Sequence, residues 1–334
     1  MITVRRDEMK RFVSIFVVFV LIVTSVFVTA GIAYGYSGYE DDNDIKYPVK
    51  GGYLYFDEKT GAITGCDWDV TKAVIPDEIN GVEVVEIVKQ AFAYCRALNS
   101  VTIPATVTSI GEEAFYCCEA LANIEFKGTL KATGEYMFVE CDSLEHIELP
   151  EGMETISVCT FANCSGLKKI IMPQTINKID DSAFAGCTSL EEVSLNEGLK
   201  EINQQAFEGC VSLKSIFIPS TVNSIANWAF ARCKSLADIQ VHKDNKIFEV
   251  VDDILYATGN QYWKKYDQDF QNDSRELVRC STNRNGKVVI GEQLNYSIDS
   301  GAFSGCSRIT DIEINNNENF MKSVNGIIYI YESK

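Results

Sequence analysis

A series of seven cysteines constrains this chain more than anything else in it. Cys95, Cys118, Cys141, Cys164, Cys187, Cys210 and Cys233 stand 23 residues apart each time. A phenylalanine sits three residues before each one (Phe92, Phe115, Phe138, Phe161, Phe184, Phe207 and Phe230) and a leucine three after it, from Leu98 to Leu236. So short a unit cannot bury its own apolar face, and a fixed period of this size marks a stack in which neighbours cover one another. With 334 residues, 46% of them apolar, the chain can build one extended domain around a continuous core.

One unit, "LKSIFIPSTVNSIANWAFARCKS" (213–235), shows how the period is spent. Leu213, Ile216 and Ile218 leave Ser215 and Phe217 on the opposite side, the alternation of a short strand. Pro219 ends that strand because it has no N–H for a ladder. Val222 and Ile225 return to the core along a second extended piece. The spacing within "ANWAFARC" predicts a single helical turn that carries Ala229, Phe230 and Cys233 inward. The expected fold class is therefore an α/β solenoid of 23-residue units, each a short parallel strand, a second extended piece and a helical turn.

The pattern LxxIxIPxxVxxIxxxAFxxC resembles the BspA-like (Treponema-type) leucine-rich repeat. It differs from common leucine-rich repeats, which carry Asn where this pattern has Pro and polar residues. The resemblance runs from about Gly52 to the end and implies a β-rich N-terminal cap, carried by "LYFDEKTGAITGC" (54–66) and "KAVIPDEINGVEVVEI" (72–87). The expected organisation is a signal segment (1–33), a Gly-rich acidic tether (34–52), the cap (53–90) and regular repeats (91–245). An irregular insertion follows (246–280), then a further repeat with "AFSGC" (281–318) and the start of a second insertion (319–334). "IFEVVDDILY" (247–256) and "FMKSVNGIIY" (320–329) echo one another and resemble the hairpin-like insertions of that family. No closing cap is recognisable after the second echo, so the end is read as one that meets a partner or as a sequence that continues.

The amino terminus bears on location. Lys10 and Arg11 precede "FVSIFVVFVLIVTSVFVTAGIA" (12–33), which carries no charge. It reads as a secretory signal with Ala30 or Ala33 before the cleavage point, or as an uncleaved anchor, since its 22 residues can span a bilayer. Either way the positive flank stays in the cytoplasm and the remainder is expected outside, touching membrane only through this segment. The chain's net charge is −17, and the first eleven residues hold four bases against two acids, so the remainder carries −19. So acidic a body repels phosphate backbones, which argues against nucleic acid as a partner.

The residues that carry chemistry are sparse. The seven periodic cysteines share one core position; neighbours in such a column point in parallel, so buried thiols are expected rather than disulfides. Cys66, Cys117, Cys159 and Cys280 lie off the column, and the absence of any CxxC pair leaves a zinc site unsupported. His146 and His242 both fall at outward strand positions four repeats apart, cannot meet a common nucleophile, and read as surface residues or binding contacts. No catalytic, cofactor or metal residue is therefore assigned, and no enzyme activity is expected.

The outward strand positions are more informative. They run Ser100 and Thr102, Asn123 and Glu125, His146 and Glu148, Lys169 and Ile171, Glu192 and Ser194, Ser215 and Phe217, Asp238 and Gln240. Ile171 and Phe217 are apolar side chains on an otherwise polar face, two repeats apart, and rigid exposed aromatics are favoured anchors. Lys169, Ile171, Ser215, Phe217 and His146 form the candidate binding set, for a protein or surface glycan. The resemblance implies a bacterial cell-surface protein engaged in adhesion to host matrix or other microbes. The alternative is a display or scaffold module that spaces or docks another component.

Overall fold

The computed structural model describes residues 37–38, 44–259, 275–290, 297–299, 301–314, 321–324 and 327–330. The uncharged stretch 12–33 and the aromatic insertion at Tyr262, Trp263 and Tyr266 lie outside the described residues.

Two parallel ladders build the array at a register of one 23-residue period, except at the cap where Lys72 pairs with Ser100, and the first ladder is broken after Asn123–Phe126 and again around Glu192. In the first, Lys72–Val74, Ser100–Ile103 and Asn123–Phe126 pair side by side, as do His146–Glu148 with Lys169–Ile171 and Ser215–Ile218 with Asp238–Val241. In the second, Thr155–Ile156, Lys178–Ile179, Glu201–Ile202 and Ser224–Ile225 form the extended piece expected after the proline. Ile216, Ile218, Val222 and Ile225 are all buried between the two, whereas Phe217 points out. The strand expected at 190–195 is reduced to a single bridge, Glu192 with Ser215.

The third side of the coil corrects the expectation of a helical turn. Among the described residues there is no helix. Each unit instead bonds to the next: the N–H groups of Phe138, Phe161 and Phe184 donate to the carbonyls of Thr160, Ala183 and Ala206, each at 2.8 Å. Alternate N–H groups close tight turns, such as Ala162 to Cys159 O and Cys164 to Phe161 O, both 3.1 Å. This alternation needs left-handed backbone five residues and one residue before each column cysteine, for example at Cys159 (φ 52°) and Asn163 (φ 59°). Glycine fills the second of these at Gly186 and Gly209, where it adopts positive φ without steric cost. A helix would spend the same N–H groups inside one unit and leave this side of the stack unbonded.

Packing follows the backbone register. The seven phenylalanines form one continuous stack with ring centroids 5.0–5.6 Å apart and interplanar angles of 3–15°. Beside it runs the cysteine column. From Cys118 to Cys233 each Sγ donates to the carbonyl of the phenylalanine 26 residues earlier, at 2.8–3.3 Å. Cysteine thus serves as a small apolar residue whose weak donor gives a buried carbonyl a second partner.

Burial raises these thiols far above their usual range: Cys118, Cys141, Cys187 and Cys210 well above it, and Cys164 to about 12. A raised pKa in the folded state means that stability is complete below the unfolded thiol's pKa and is lost as pH climbs toward the folded one. In reducing buffer, the melting temperature should therefore hold steady through neutrality and drop above about pH 8.5, where the unfolded chain sheds protons that the array keeps. Cys187→Ala should shallow that decline. A pH-independent melt in the alkaline range would mean that the column does not stay protonated.

The ends are built differently. Ile45–Val49, expected within the tether, is a strand antiparallel to Gly52–Asp57, which in turn pairs with Ala62–Cys66. The tether expected to reach residue 52 is thus partly cap, because Tyr47 and Val49 pack on the core at its start. The cap opens both ladders: Ala62–Cys66 runs parallel to Glu86–Ile87, and Lys72–Val74 to Ser100–Ile103. After the last regular repeat, Phe248–Val251 and Ile254–Thr258 form a hairpin turning at Asp252 and Asp253, both at positive φ. Arg275–Cys280 joins that hairpin, and Gly286–Ile290 resumes parallel pairing with Ile309–Ile314 over a small second core. Met321–Val324 and Ile327–Ile330 make another antiparallel pair.

Candidate binding face

The first ladder presents one row of outward side chains at its centre: Val74, Thr102, Glu125, Glu148, Ile171, Ser194, Phe217 and Gln240, one per turn. Turns lie about 4.8 Å apart, so the row is a fixed ruler of side chains about 10 Å apart at every second step. Ile171 and Phe217 are 48% and 42% exposed, while their neighbours in sequence, Ile170, Ile216 and Ile218, are buried. Such exposure costs stability without return inside the fold, since each side chain keeps apolar area in water that a core position would remove.

The five candidate residues separate into two groups. His146, Lys169 and Ile171 line one shallow hollow together with Ile147 and Glu148, and pairing places His146 opposite Lys169 and Glu148 opposite Ile171. An apolar floor edged by one carboxylate, one ammonium and one imidazole can hold a mixed polar and apolar side chain. Ser215 and Phe217 lie two turns away, beyond the interrupted strand at Glu192. There the Phe217 ring meets His242 edge-on, centroids 6.1 Å apart at 86°. His242 is held in turn by accepting the Asp244 N–H on Nδ1 at 3.1 Å.

Sequence reasoning missed one member of this surface and misplaced another. Val74, 49% exposed, belongs to the cap yet stands in the same row, opposite Thr102. The likeness of "KAVIP" to "SVTIP" carries that alignment. His242 follows the strand rather than lying on it, and only the fold shows that it packs on Phe217. Among the described residues, no three His, Cys, Asp or Glu side chains are grouped to hold a metal ion. Several ion pairs cross turns, among them Lys89–Glu112, Lys168–Glu145 and Lys214–Glu191, which are exposed and contribute little.

The pattern of the BspA type leucine-rich repeat region matches residues 65–187, 155–258 and 281–325, in six copies. The chain belongs to the BspA-type leucine-rich repeat family. Comparison with curated proteins gave no match. Among solved structures, the array is similar to a leucine-rich cell surface protein from Faecalibacterium prausnitzii, with 20% identity and TM-score 0.54 over 81% of this chain and 70% of that one. It is also similar to a leucine-rich repeat protein from Bacteroides ovatus, with 22% identity and TM-score 0.55 over 84% and 79%. The pneumococcal vaccine antigen PcpA matches with 19% identity and TM-score 0.51 over 84% and 72%. At these identities the BspA-type fold is what the similarity establishes.

Proposed function

We propose that this protein is an exported, non-enzymatic binding module whose strand face engages a protein or surface glycan ligand in cell-surface adhesion or host–microbe contact. The observation that carries this reading is the pair Ile171 and Phe217, exposed on a rigid face whose inward positions are packed. A backbone held by two ladders and a stacked core presents these side chains with little ordering cost at binding. Family membership supports the same reading, as do two similar structures, one described as a cell surface protein and the other as a vaccine antigen. The apolar, uncharged segment 12–33 supports export, with retention through that segment if it stays uncleaved.

The test is the double substitution Ile171→Ser with Phe217→Ser, assayed against matrix proteins and bacterial surface extracts. Both side chains face solvent, so the variant should keep the wild-type melting temperature. Truncating a central anchor costs about 2 kcal/mol or more, so affinity should fall at least about thirtyfold. Glu125→Gln, on the same row, should alter mainly the salt dependence. Full binding by a folded double variant would move the site elsewhere.

A further inference from the structure

The cysteine column has an exception at its start. Each later member, from Cys118 on, meets the carbonyl of a phenylalanine 26 residues back, but 26 residues before Cys95 stands Asp69. The Cys95 Sγ instead lies 2.8 Å from the Sγ of Cys66. Cys66 is the last residue of the cap strand Ala62–Cys66 and sits 29 residues from Cys95, off the period. Both are buried, at 2% and 0% exposure, and both belong to the main core beside Phe92, the first ring of the stack. The separation is closer than the roughly 3.5–4.0 Å at which even carbon atoms rest in contact. It is a short movement from the roughly 2.05 Å of a sulfur–sulfur bond. Column neighbours aim their S–H groups in one direction, at backbone carbonyls, whereas these two sulfurs come from different elements and face each other.

We propose that Cys66 and Cys95 form a disulfide that fastens the N-terminal cap to the first repeat. The oxidant is a small disulfide of the glutathione type, as an oxidising compartment supplies. The thiolate of one cysteine attacks it and releases one small thiol. The second thiolate attacks the resulting mixed disulfide and releases another. Two protein S–H bonds are lost, one S–S bond forms, and the two electrons and two protons leave on the two small thiols. Burial of both sulfurs places the exchange before the cap closes, during folding. The cross-link holds the cap on the core it shares with Phe92, so the end of the array cannot fray from this side. It rests on the export reading, which supplies the oxidising compartment, and not on the binding one.

The full-length chain should be reduced, unfolded and refolded in a mixture of oxidised and reduced glutathione, then denatured and alkylated. Of its 12 cysteines, two fewer should take the label than in the fully reduced chain, and digestion should yield one linked pair of peptides containing Cys66 and Cys95. Cys66→Ser and Cys95→Ser should each abolish the difference, while Cys187→Ser should retain it. Amides of Leu54 to Cys66 should exchange more slowly in the oxidised form than in the reduced one. All thiols remaining alkylatable after oxidative refolding, or a link between another pair in its place, overturns the proposal. The peptide map of the wild-type chain decides this even if a variant fails to fold. Equal amide exchange in the two forms overturns the fastening role.

Discussion

Replacing Phe161 by alanine should cost about 3–5 kcal/mol, the range for emptying a well-packed aromatic site. The ring is buried at 0% exposure and stacks on Phe138 and Phe184, 5.4 Å away on each side and within 11° of parallel. Its removal loses the transfer energy of one ring and two stacking contacts, each about 0.5–1.5 kcal/mol beyond area burial. The cavity cannot collapse easily, because the backbone on both sides is pinned by the ladder through the N–H groups of Phe138 and Phe161. Denaturant unfolding should show the loss in the midpoint. Because each repeat touches only its neighbours, amide protection should weaken first around residues 138–184 and last at the cap. Phe161→Leu, which keeps most of the volume, should cost clearly less. An unchanged midpoint for Phe161→Ala would mean that the phenylalanine column is not the core.

Much of this fold was legible because a repeat states its contacts many times. The columns of Phe, Cys and Leu, the outward strand positions and the second extended piece all follow from alternation within one 23-residue unit. The turn beside the column was misread for a physical reason. Apolar residues at Ala229, Phe230 and Cys233 have helical spacing, and the positions that need left-handed backbone hold Gln205, Trp228 and Arg232 rather than glycine. Nothing in those residue types announces positive φ; the neighbouring repeat's carbonyls impose it. The two groups within the binding set were equally hidden, since the gap at Glu192 and the packing of His242 on Phe217 depend on how turns pair. Contacts off the period, such as Cys66 with Cys95, cannot be read from spacing at all.

The same limit applies to the largest off-period feature, Arg279, and its loss should be as damaging as that of a core ring. Where the regular repeats stop, Trp228 and Arg232 lack the next repeat's carbonyls; their N–H groups donate to Asp299 Oδ2 at 2.9 Å and Ser304 Oγ at 3.0 Å. Arg279 completes this junction from within. Its Nη1 donates to the carbonyls of Gly301 and Ala302, and its Nη2 to those of Cys233 and Ser304, at 2.6–3.4 Å. The side chain is 1% exposed, so the bonds are charge-assisted and dry. A hydrogen bond to a charged group contributes about 1.5–3 kcal/mol net. The four made by one buried guanidinium share a single desolvation cost of several kcal/mol, so they do not add. The net expected loss in Arg279→Met is about 2–5 kcal/mol, concentrated in the docking of residues 281–290 and 301–314 on the array. Arg279→Lys should recover only part of it, because one ammonium cannot fork to carbonyls on both sides of the junction. Asp299 adds a pH signature. Burial raises its pKa, its bonds from the Gly301 and Trp228 N–H groups lower it, and the Arg279 charge lowers it further. Without Arg279 the carboxylate costs more to keep ionised. Stability lost as pH rises through a raised folded pKa returns on acidification, so the deficit of Arg279→Met should narrow toward pH about 4. Amide exchange should show residues 281–290 and 301–314 opening while 92–207 stay protected, and uniform loosening of both would mean that the guanidinium does not join them.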